Sequence, residues 1–289
     1  MNPVTLIGTG NMGGAMAANL LGRGWNVHVC DVDPATVADL VQIGAVALAL
    51  PAQAAIDSVA FIVCVVDAAQ TETVLFGPHG LASMLQPGHA VMLCPTIAPE
   101  DVESFASRLA ALGVHTLDAP MSGGPARARD GSMSLMLACS NAAYDQQADL
   151  LQALSGKVFR ISENPGDGAR TKLVNNLLAG INLVGAAEVL ALAARLGLDL
   201  GKTLDVIEQS SGQSWIGSDR LRRAIAGDYA PRAHVTLLEK DTRLAVAAAR
   251  AAGFDGPLGA RASAVFAKAH EAGLAALDDA AIFRYLSER

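Results

Sequence analysis

The chain has 289 residues, of which 52% are apolar and 17% charged, and its formal net charge is −7. This composition indicates a globular protein with a large core and enough length for two domains. Lysine and arginine form no basic stripe, so we expect no nucleic acid as a partner. The sequence opens directly into a predicted strand without a signal peptide, so we expect a protein of the reducing cytoplasm.

The four cysteines predict neither a disulfide framework nor a metal site. They are far apart and contain no CxxC pair, and the six histidines are scattered as well. Most of the cysteines fall in predicted strands, where buried core thiols are the expected interpretation. The cysteines are Cys30, Cys64, Cys94 and Cys139.

A glycine-rich turn follows the first predicted strand and precedes a helical pattern. The turn reads Gly8-Thr9-Gly10-Asn11-Met12-Gly13, and a second predicted strand over residues 27–30 closes with Asp31. Strand, GxGxxG, helix, strand and acid in this order form the dinucleotide-binding fingerprint. The glycines permit a tight turn and let a pyrophosphate approach the N-terminus of the helix.

Asp31 predicts a preference between the two nicotinamide dinucleotides. Its carboxylate would accept hydrogen bonds from the adenosine ribose and would repel a 2′-phosphate, and no arginine follows to neutralise one. The sequence therefore predicts NAD as the cofactor, with NADP less favoured. The alternative is that Asp31 and Asp33 only shape a turn, since Asp33-Pro34 also resembles a helix start.

Strand and helix patterns alternate through the first half of the chain. Apolar strands over 45–48, 59–65, 90–94 and 114–117 are separated by helical segments, which predicts a parallel sheet covered on both faces. Further strands are predicted over 132–138 and 157–160. Ligands of such sheets bind beyond the carboxyl ends of the strands. The loops with Val65 and Val66 and with Thr96 should therefore line the cofactor.

Another polar loop follows the strand at 114–117. Ser122-Gly123-Gly124 offers one hydroxyl and closely spaced main-chain N–H groups, which suit a carboxylate. An ordinary Gly-Pro loop remains the alternative interpretation.

A long apolar stretch begins after a predicted turn at 165–168 and continues to Leu196. About 27 residues without proline predict a helix of roughly 40 Å that is buried on several sides. The polar residues that interrupt the stretch argue against a membrane span. They are Asn175, Asn176, Asn182, Glu188 and Arg195.

Lys172 lies near the start of this helix and shares a face with Asn176, four residues later. Such a lysine either reaches solvent with its ammonium group or is held for chemistry. In the last part of the chain Lys240 is a second candidate cation, or it belongs to a solvated charged face.

Strand patterns almost disappear after residue 163, and glycine-punctuated helical patterns replace them. The sequence therefore predicts an α/β fold of two domains joined by the long helix. Residues 1–163 form a Rossmann-type parallel-sheet domain, and residues 164–289 form an all-α domain that serves substrate binding and oligomerisation. This helical domain looks too apolar and elongated to cover itself, so we expect a homodimer or a homotetramer.

In combination these motifs resemble the β-hydroxyacid dehydrogenase family, the relatives of 3-hydroxyisobutyrate dehydrogenase. They cover nearly the whole chain and occur in the family's order. The resemblance implies an enzyme that transfers hydride from a small hydroxy acid to NAD(P), with Lys172 as the catalytic group. It implies substrate contacts at Ser122, Gly123, Gly124 and Asn176, and cofactor contacts at Thr96 and Lys240. The matching segments are residues 8–13, 96–97, 118–124, 166–176 and 240–241.

Two positions depart from the family pattern. Pro95 stands where many relatives have serine, and Asp67 stands where a near relative has asparagine. A narrower resemblance, to members of the family that act on L-threonate, is carried by residues 68–70, 74–77, 156–161, 214–215 and 227–231.

The expected substrate is a short polyhydroxy acid, with L-threonate as the best candidate. The segment Gln209–Trp215 is rich in hydroxyl and amide groups that could form a polar pocket wall, although a solvated loop between helices is the alternative. 3-Hydroxyisobutyrate and 2-hydroxy-3-oxopropionate are the alternative substrates. An imine reductase and a non-catalytic NAD-binding protein are alternatives of other classes. Lys172 argues against the first, and Lys172 together with the Ser122 loop argues against the second.

Overall fold

The computed structural model describes residues 3–54 and 57–288. The chain divides into two compact units, Met1–Lys172 and Leu173–Arg289. This division falls inside one long helix. The domain boundary after residue 163, which the sequence analysis proposes, stays a prediction.

The first unit contains one sheet, and its first six strands are parallel. The strand order is β3-β2-β1-β4-β5-β6-β8-β7, with β9 pairing β8. β8 runs antiparallel to β6 and β7, and β9 runs parallel to β8. The strands are β1 (Val4–Ile7), β2 (Val27–Cys30), β3 (Val46–Ala47), β4 (Ala60–Val63), β5 (Ala90–Leu93), β6 (His115–Asp118), β7 (Met121–Ser122), β8 (Met133–Ala138) and β9 (Ser155–Ser162).

The α-helices of the described residues are distributed over both units. Helices α1 to α7 belong to the first unit, α8 crosses the division, and α9 to α13 belong to the second unit. They are α1 (Asn11–Gly22), α2 (Pro34–Gln42), α3 (Ala68–Phe76), α4 (Pro99–Ala110), α5 (Gly124–Asp130), α6 (Asn141–Gln146), α7 (Ala148–Leu154), α8 (Asp167–Arg195), α9 (Leu200–Glu208), α10 (Trp215–Ile225), α11 (Val235–Ala251), α12 (Pro257–Ala269) and α13 (Ala281–Ser287).

Helices cover both faces of the sheet, which explains why its central strands are apolar without alternation. On one face Leu6 and Ile62 pack in a cluster with Leu20 of α1. On the other face Phe61 packs in a cluster with Leu75 of α3. Strands buried on both faces read as continuous apolar runs. The predicted parallel α/β domain is therefore confirmed.

The described part of the second unit is built from helices, as predicted. Its core contains Leu183 and Leu190 of α8 together with Phe266 of α12 and Ile282 of α13. This core buries apolar side chains from several helices that are far apart in the sequence. The predicted fold class, a Rossmann-type domain followed by an all-α domain with a long helix between them, is confirmed.

Helix α8 differs from its prediction in two respects. It begins at Asp167, inside the segment predicted as a turn, and runs for 29 residues. The expectation that it is buried on several sides is wrong for one face. Leu178, Val189 and Leu192 of α8 are between 48% and 58% exposed, and Leu196, directly after the helix, is 65% exposed. The face with Leu183 and Leu190 packs into the core, while no part of the described chain covers this apolar stripe.

By length and composition, α8 is the one helix among the described residues that could cross a membrane. Its most apolar 18-residue window has a mean hydropathy of 1.9, and 39% of that window is buried. Core helices of globular proteins have the same properties, so the observation is weak evidence for a membrane span. Polar side chains of α8 hydrogen-bond within the protein, among them Lys172 to Met121 and Asn176 to Asp241.

Candidate active site

The glycine-rich turn has the shape that a pyrophosphate requires. Gly8 has φ of 93°, and a Cβ on Gly13 would lie 1.9 Å from the carbonyl oxygen of Gly8. The turn therefore packs too closely for larger residues at these positions. A Cβ on Gly10, in contrast, would meet no atom within 4 Å. The open space beside Gly10 adjoins the N-terminus of α1, where no acidic side chain lies in the first turn. These residues fit a bound dinucleotide.

Asp31 is held against this turn by main-chain hydrogen bonds. Its carboxylate accepts the N–H of Thr9 over 2.5 Å and the N–H of Asp33 over 2.9 Å. Asp33 caps α2 by accepting the N–H of Ala35 over 2.9 Å. The two interpretations of this acidic pair are therefore compatible, since Asp33 shapes the turn while Asp31 lies beside the glycines.

Most of the predicted cofactor residues lie at one edge of the sheet. Strands β2, β1, β4 and β5 are neighbours and parallel, so their carboxyl ends meet at the same edge. The turn at residues 8–13 follows β1, and Asp31 follows β2. Val65 and Val66 follow β4, and Thr96 follows β5. Lys240 belongs to the second unit.

Part of the Ser122 segment is a short strand and not the predicted loop. Met121 and Ser122 form the short strand β7, which pairs antiparallel with β8. The pairing fixes Ser122 opposite Ser134 before Gly123 and Gly124 turn the chain into α5. A Cβ on Gly124 would meet no atom within 4 Å, so its main chain borders open space. Two residues are too short a segment for periodicity to predict as a strand.

Lys172 is a buried cation whose side chain reaches this segment. It is 9% exposed, and its Nζ donates a hydrogen bond to the carbonyl oxygen of Met121 over 2.6 Å. The alternative that Lys172 extends its ammonium group into solvent is therefore wrong. The structure brings together Lys172 and the Met121–Ser122 strand, which are about 50 residues apart in the sequence.

Asp118 is a site residue to which the sequence assigned no role. It is 1% exposed and accepts the N–H of Gly166 over 2.8 Å and the N–H of Ala169 over 3.1 Å. Burial raises the pKa of Asp118 to about 6, although the hydrogen bonds from Ala169, Gly166 and Gly168 act in the opposite direction. An acid at the end of a strand was the available signal, but its partners 48 and 51 residues away are visible only in the fold.

In the second unit, Asp241 connects two of the predicted site residues. Its Oδ2 accepts the side-chain amide of Asn176 over 2.6 Å, and its Oδ1 accepts the ammonium of Lys240 over 2.8 Å. Asn175 donates to Asn176 over 3.0 Å. The alternative of Lys240 as part of a solvated charged face is not supported, since its side chain is only 17% exposed. Asp241 was visible in the sequence only as part of a family motif.

The segment Gln209–Trp215 connects α9 to α10, and Trp215 is the first residue of α10. Its residues are exposed except Ser214, which caps α10 by accepting the N–H of Gly217 over 3.2 Å. The exposure of these residues within the chain favours an interhelix loop over the polar pocket wall, the two interpretations that the sequence left open.

Thiol and metal chemistry find no support among the described residues. No group of three or more His, Cys, Asp or Glu side chains in residues 3–54 and 57–288 could hold a metal ion. All four cysteines are free. Burial raises the pKa of Cys64 to about 12 and that of Cys139 to about 11, so both thiols stay protonated near neutral pH.

Comparison with known proteins identifies both parts of the chain. Residues 3–162 match the family model for the NAD-binding domain of 6-phosphogluconate dehydrogenase. Residues 166–286 match the model described as the NAD-binding domain of NADP-dependent 3-hydroxyisobutyrate dehydrogenase.

Individual relatives cover nearly the whole chain. L-threonate dehydrogenase of Cupriavidus necator is 39% identical over 97% of this chain and 95% of its own length. 3-Hydroxyisobutyrate dehydrogenase of Pseudomonas aeruginosa is 35% identical over 92% and 91%. A crystal structure described as 3-hydroxyisobutyrate dehydrogenase from Salmonella typhimurium superposes with a TM-score of 0.92 at 37% identity and covers 99% of this chain and 100% of that one.

The nucleotide fold and these full-length relatives define the class: the protein is an NAD(P)-dependent dehydrogenase that acts on the CH–OH group of a small hydroxy acid. The chain belongs to the β-hydroxyacid dehydrogenase family, the relatives of 3-hydroxyisobutyrate dehydrogenase.

Proposed function

We propose that this dehydrogenase oxidises L-threonate to 2-dehydro-L-erythronate with NAD+, and that Lys172 is its general acid and base. The observation that carries the catalytic part is the hydrogen bond from Lys172 to Met121, next to Ser122. A general base must lie within hydrogen-bond reach of the proton that it removes. A buried amine beside a candidate carboxylate-binding segment meets the first requirement for such a base.

In the proposed reaction, Lys172 takes the proton of the substrate hydroxyl and returns it in the reverse direction. NAD+, when bound, supplies the hydride acceptor. The carbonyl of Met121 orients the side chain of Lys172 by accepting one of its N–H groups. Main-chain geometry therefore restricts the amine before the substrate arrives, which lowers the entropic cost of reaching the reactive arrangement.

The segment Ser122-Gly123-Gly124 is the proposed binding site for the substrate carboxylate. The hydroxyl of Ser122 and the main chain of Gly124, which borders open space, are available groups for an anion. Asn176 is the proposed partner of a substrate hydroxyl. Asp241 accepts its amide and thereby fixes which way its carbonyl oxygen points.

The proposed cofactor site of the first unit consists of the turn at residues 8–13, Asp31, Val65, Val66 and Thr96. Lys240 is proposed separately as a cofactor contact. We propose NAD rather than NADP because Asp31 adds a negative charge beside the turn. Asp241 pairs with Lys240 and would hold the ammonium group of Lys240 in place for its proposed contact with the cofactor.

L-threonate is preferred over the alternatives because several curated relatives that are 35–39% identical over nearly the full length carry the name L-threonate dehydrogenase. 3-Hydroxyisobutyrate is the second candidate, since the relative from Pseudomonas aeruginosa carries that name. 2-Hydroxy-3-oxopropionate follows, because an Escherichia coli relative at 30% identity is a reductase of that compound.

Initial rates with NAD+ across five acids test the substrate. The panel contains L-threonate, erythronate, glycerate, 3-hydroxybutyrate and 3-hydroxyisobutyrate, and we expect the highest kcat/KM for L-threonate. A site whose buried polar groups bind hydroxyls rejects an analogue that lacks them, since each unpaired group costs roughly 1–3 kcal/mol. Higher kcat/KM for the methyl-bearing acids would contradict L-threonate and leave only the family assignment.

We also propose a homodimer or homotetramer in the cytoplasm. The exposed stripe of Leu178, Val189, Leu192 and Leu196 supports the oligomer, because apolar side chains aligned on one helix are costly to leave in water.

A further inference from the structure

The first turn of α8 is bound from outside the helix by Asp118. The carboxylate of Asp118 accepts the N–H groups of Gly166 and Ala169, which an α-helix cannot satisfy within its own first turn. The approach is close. A Cβ on Gly168 would lie 2.6 Å from the carbonyl oxygen of Met136 and 2.9 Å from Cγ of Asp118. The start of α8 therefore packs closely against the end of β6 and against Met136 within β8.

The same short segment that carries Asp118 also contacts Lys172. Asp118 ends β6, and Met121, three residues later, accepts the hydrogen bond from Nζ of Lys172. Lys172 follows Ala169 by three residues, which is slightly less than one turn of helix. Residues 118–121 therefore contact α8 at two points. Asp118 binds main-chain N–H groups at its start, and Met121 binds the side chain of Lys172.

We propose that Asp118 is a positioning residue that acts through Lys172, a proposal that rests on the catalytic role proposed above for that lysine. Asp118 fixes the start of α8 and thereby the distance between the base of Lys172 and the Ser122 segment. Catalysis is sensitive to such distances, since a shift of about 1 Å can cost on the order of 10²-fold in rate. Asp118 itself contacts neither substrate nor cofactor in this proposal.

A second carboxylate on the same turn supplies the matched control. Asp167 accepts from the hydroxyl of Ser162 over 2.7 Å and pairs with Arg170 over 3.0 Å. Neither of these contacts involves residues 118–121. Asp167→Asn therefore removes a negative charge from the same end of α8 and leaves the contact between α8 and Asp118 unchanged.

The test is a double-mutant cycle between Asp118→Asn and Lys172→Ala, with kcat and NADH affinity measured for each variant. Gly166 and Ala169 both donate to Oδ2 of Asp118, so asparagine can keep one acceptor oxygen there but loses the negative charge that strengthens these hydrogen bonds. We expect Asp118→Asn to lower kcat about tenfold, and Asp118→Ala up to about 100-fold, with NADH affinity within about threefold of wild type. In the Lys172→Ala background, Asp118→Asn should change the residual kcat by less than about twofold, because residues that act together are not additive.

Equal loss of kcat from Asp118→Asn in both backgrounds would overturn the proposal, since Asp118 would then act independently of Lys172. Wild-type kcat in Asp118→Asn, or an equal loss in Asp167→Asn, would overturn it as well. If Asp118→Asn does not fold, Gly168→Ala displaces the same helix start without removing the charge of Asp118, and the same non-additivity with Lys172→Ala is expected. A near-normal kcat of Lys172→Ala alone is a different outcome, because it refutes the proposed general base itself.

Discussion

Nζ of Lys172 lies 2.6 Å from the carbonyl oxygen of Met121, so an amine of the long helix is held by the strand that precedes Gly123 and Gly124. The two residues belong to different elements, α8 and β7, and both elements lie after residue 118. Asp118 joins them, because it precedes β7 and binds the start of α8. The proposed acid and base is therefore restrained by two independent contacts within one unit.

The pair of Gly10→Ala and Gly13→Ala tests the proposed cofactor turn. A Cβ at position 10 meets no atom within 4 Å, so we expect Gly10→Ala to keep the melting temperature and to lose at least about tenfold in NADH affinity, as the methyl group would occupy the space of the pyrophosphate. A Cβ at position 13 would lie 1.9 Å from the carbonyl oxygen of Gly8, so Gly13→Ala should also lower the melting temperature. Thermal unfolding and NADH fluorescence titration measure both effects. Unchanged NADH affinity in Gly10→Ala would contradict this location.

The preference for NAD+ is tested by kcat/KM with both cofactors. We expect NAD+ to exceed NADP+ by at least about tenfold, because the carboxylate of Asp31 would lie close to a 2′-phosphate. Asp31→Ser should reduce this ratio. Asp33→Ser is the control, because it removes a neighbouring negative charge that caps α2. We expect it to change the ratio of NAD+ to NADP+ use less than Asp31→Ser does. Equal use of NADP+ by the wild-type protein would refute the role of Asp31.

The fold could be predicted from the sequence where local pattern and packing agree. The apolar strands and the glycine turn gave the parallel sheet, and helical periodicity gave α8 to α13, since each pattern reflects burial on a particular face. The start of α8 at Asp167 could not be predicted, because its first N–H groups are bound by Asp118, 48 residues earlier than Gly166. β7 and the link from Asn176 through Asp241 to Lys240 also depend on contacts between distant segments.

The free energy of unfolding should depend on pH through Asp118. Burial raises the pKa of this carboxyl from 3.8 to about 6, with Asp167 adding to the rise. The folded protein therefore binds more protons than the unfolded chain between about pH 4 and pH 6, and the contribution of Asp118 to stability is lost as the pH rises through this window. The loss amounts to about 3 kcal/mol, because one pKa unit corresponds to about 1.4 kcal/mol.

The difference between wild type and Asp118→Asn isolates this contribution, since asparagine does not titrate. Urea unfolding at pH 4, 5, 6 and 7 measures it. Other groups, including Asp279, whose pKa burial raises to about 7, titrate in both proteins and cancel. A difference that is independent of pH would contradict the raised pKa of Asp118.

The exposed stripe of α8 predicts an oligomer. We expect light scattering at micromolar concentration to give two or four times the chain mass of 29.6 kDa. Leu192→Lys should shift the protein toward the single chain, because the side chain is 54% exposed and a charge there would be costly to bury. Val206→Lys, at an exposed apolar residue of α9, is the matched control. A mass near 29.6 kDa for the wild-type protein would refute the oligomer.

The catalytic role of Lys172 is the central claim, and the turnover of Lys172→Ala with L-threonate and NAD+ tests it most directly. Loss of a general base costs on the order of 10²–10⁴ in rate, so we expect kcat to fall by that factor. NADH affinity, measured by fluorescence, should stay close to the wild-type value, which shows that the variant is folded and binds the cofactor. A near-normal kcat together with intact NADH binding would contradict the account and make Lys240 the next candidate for the base.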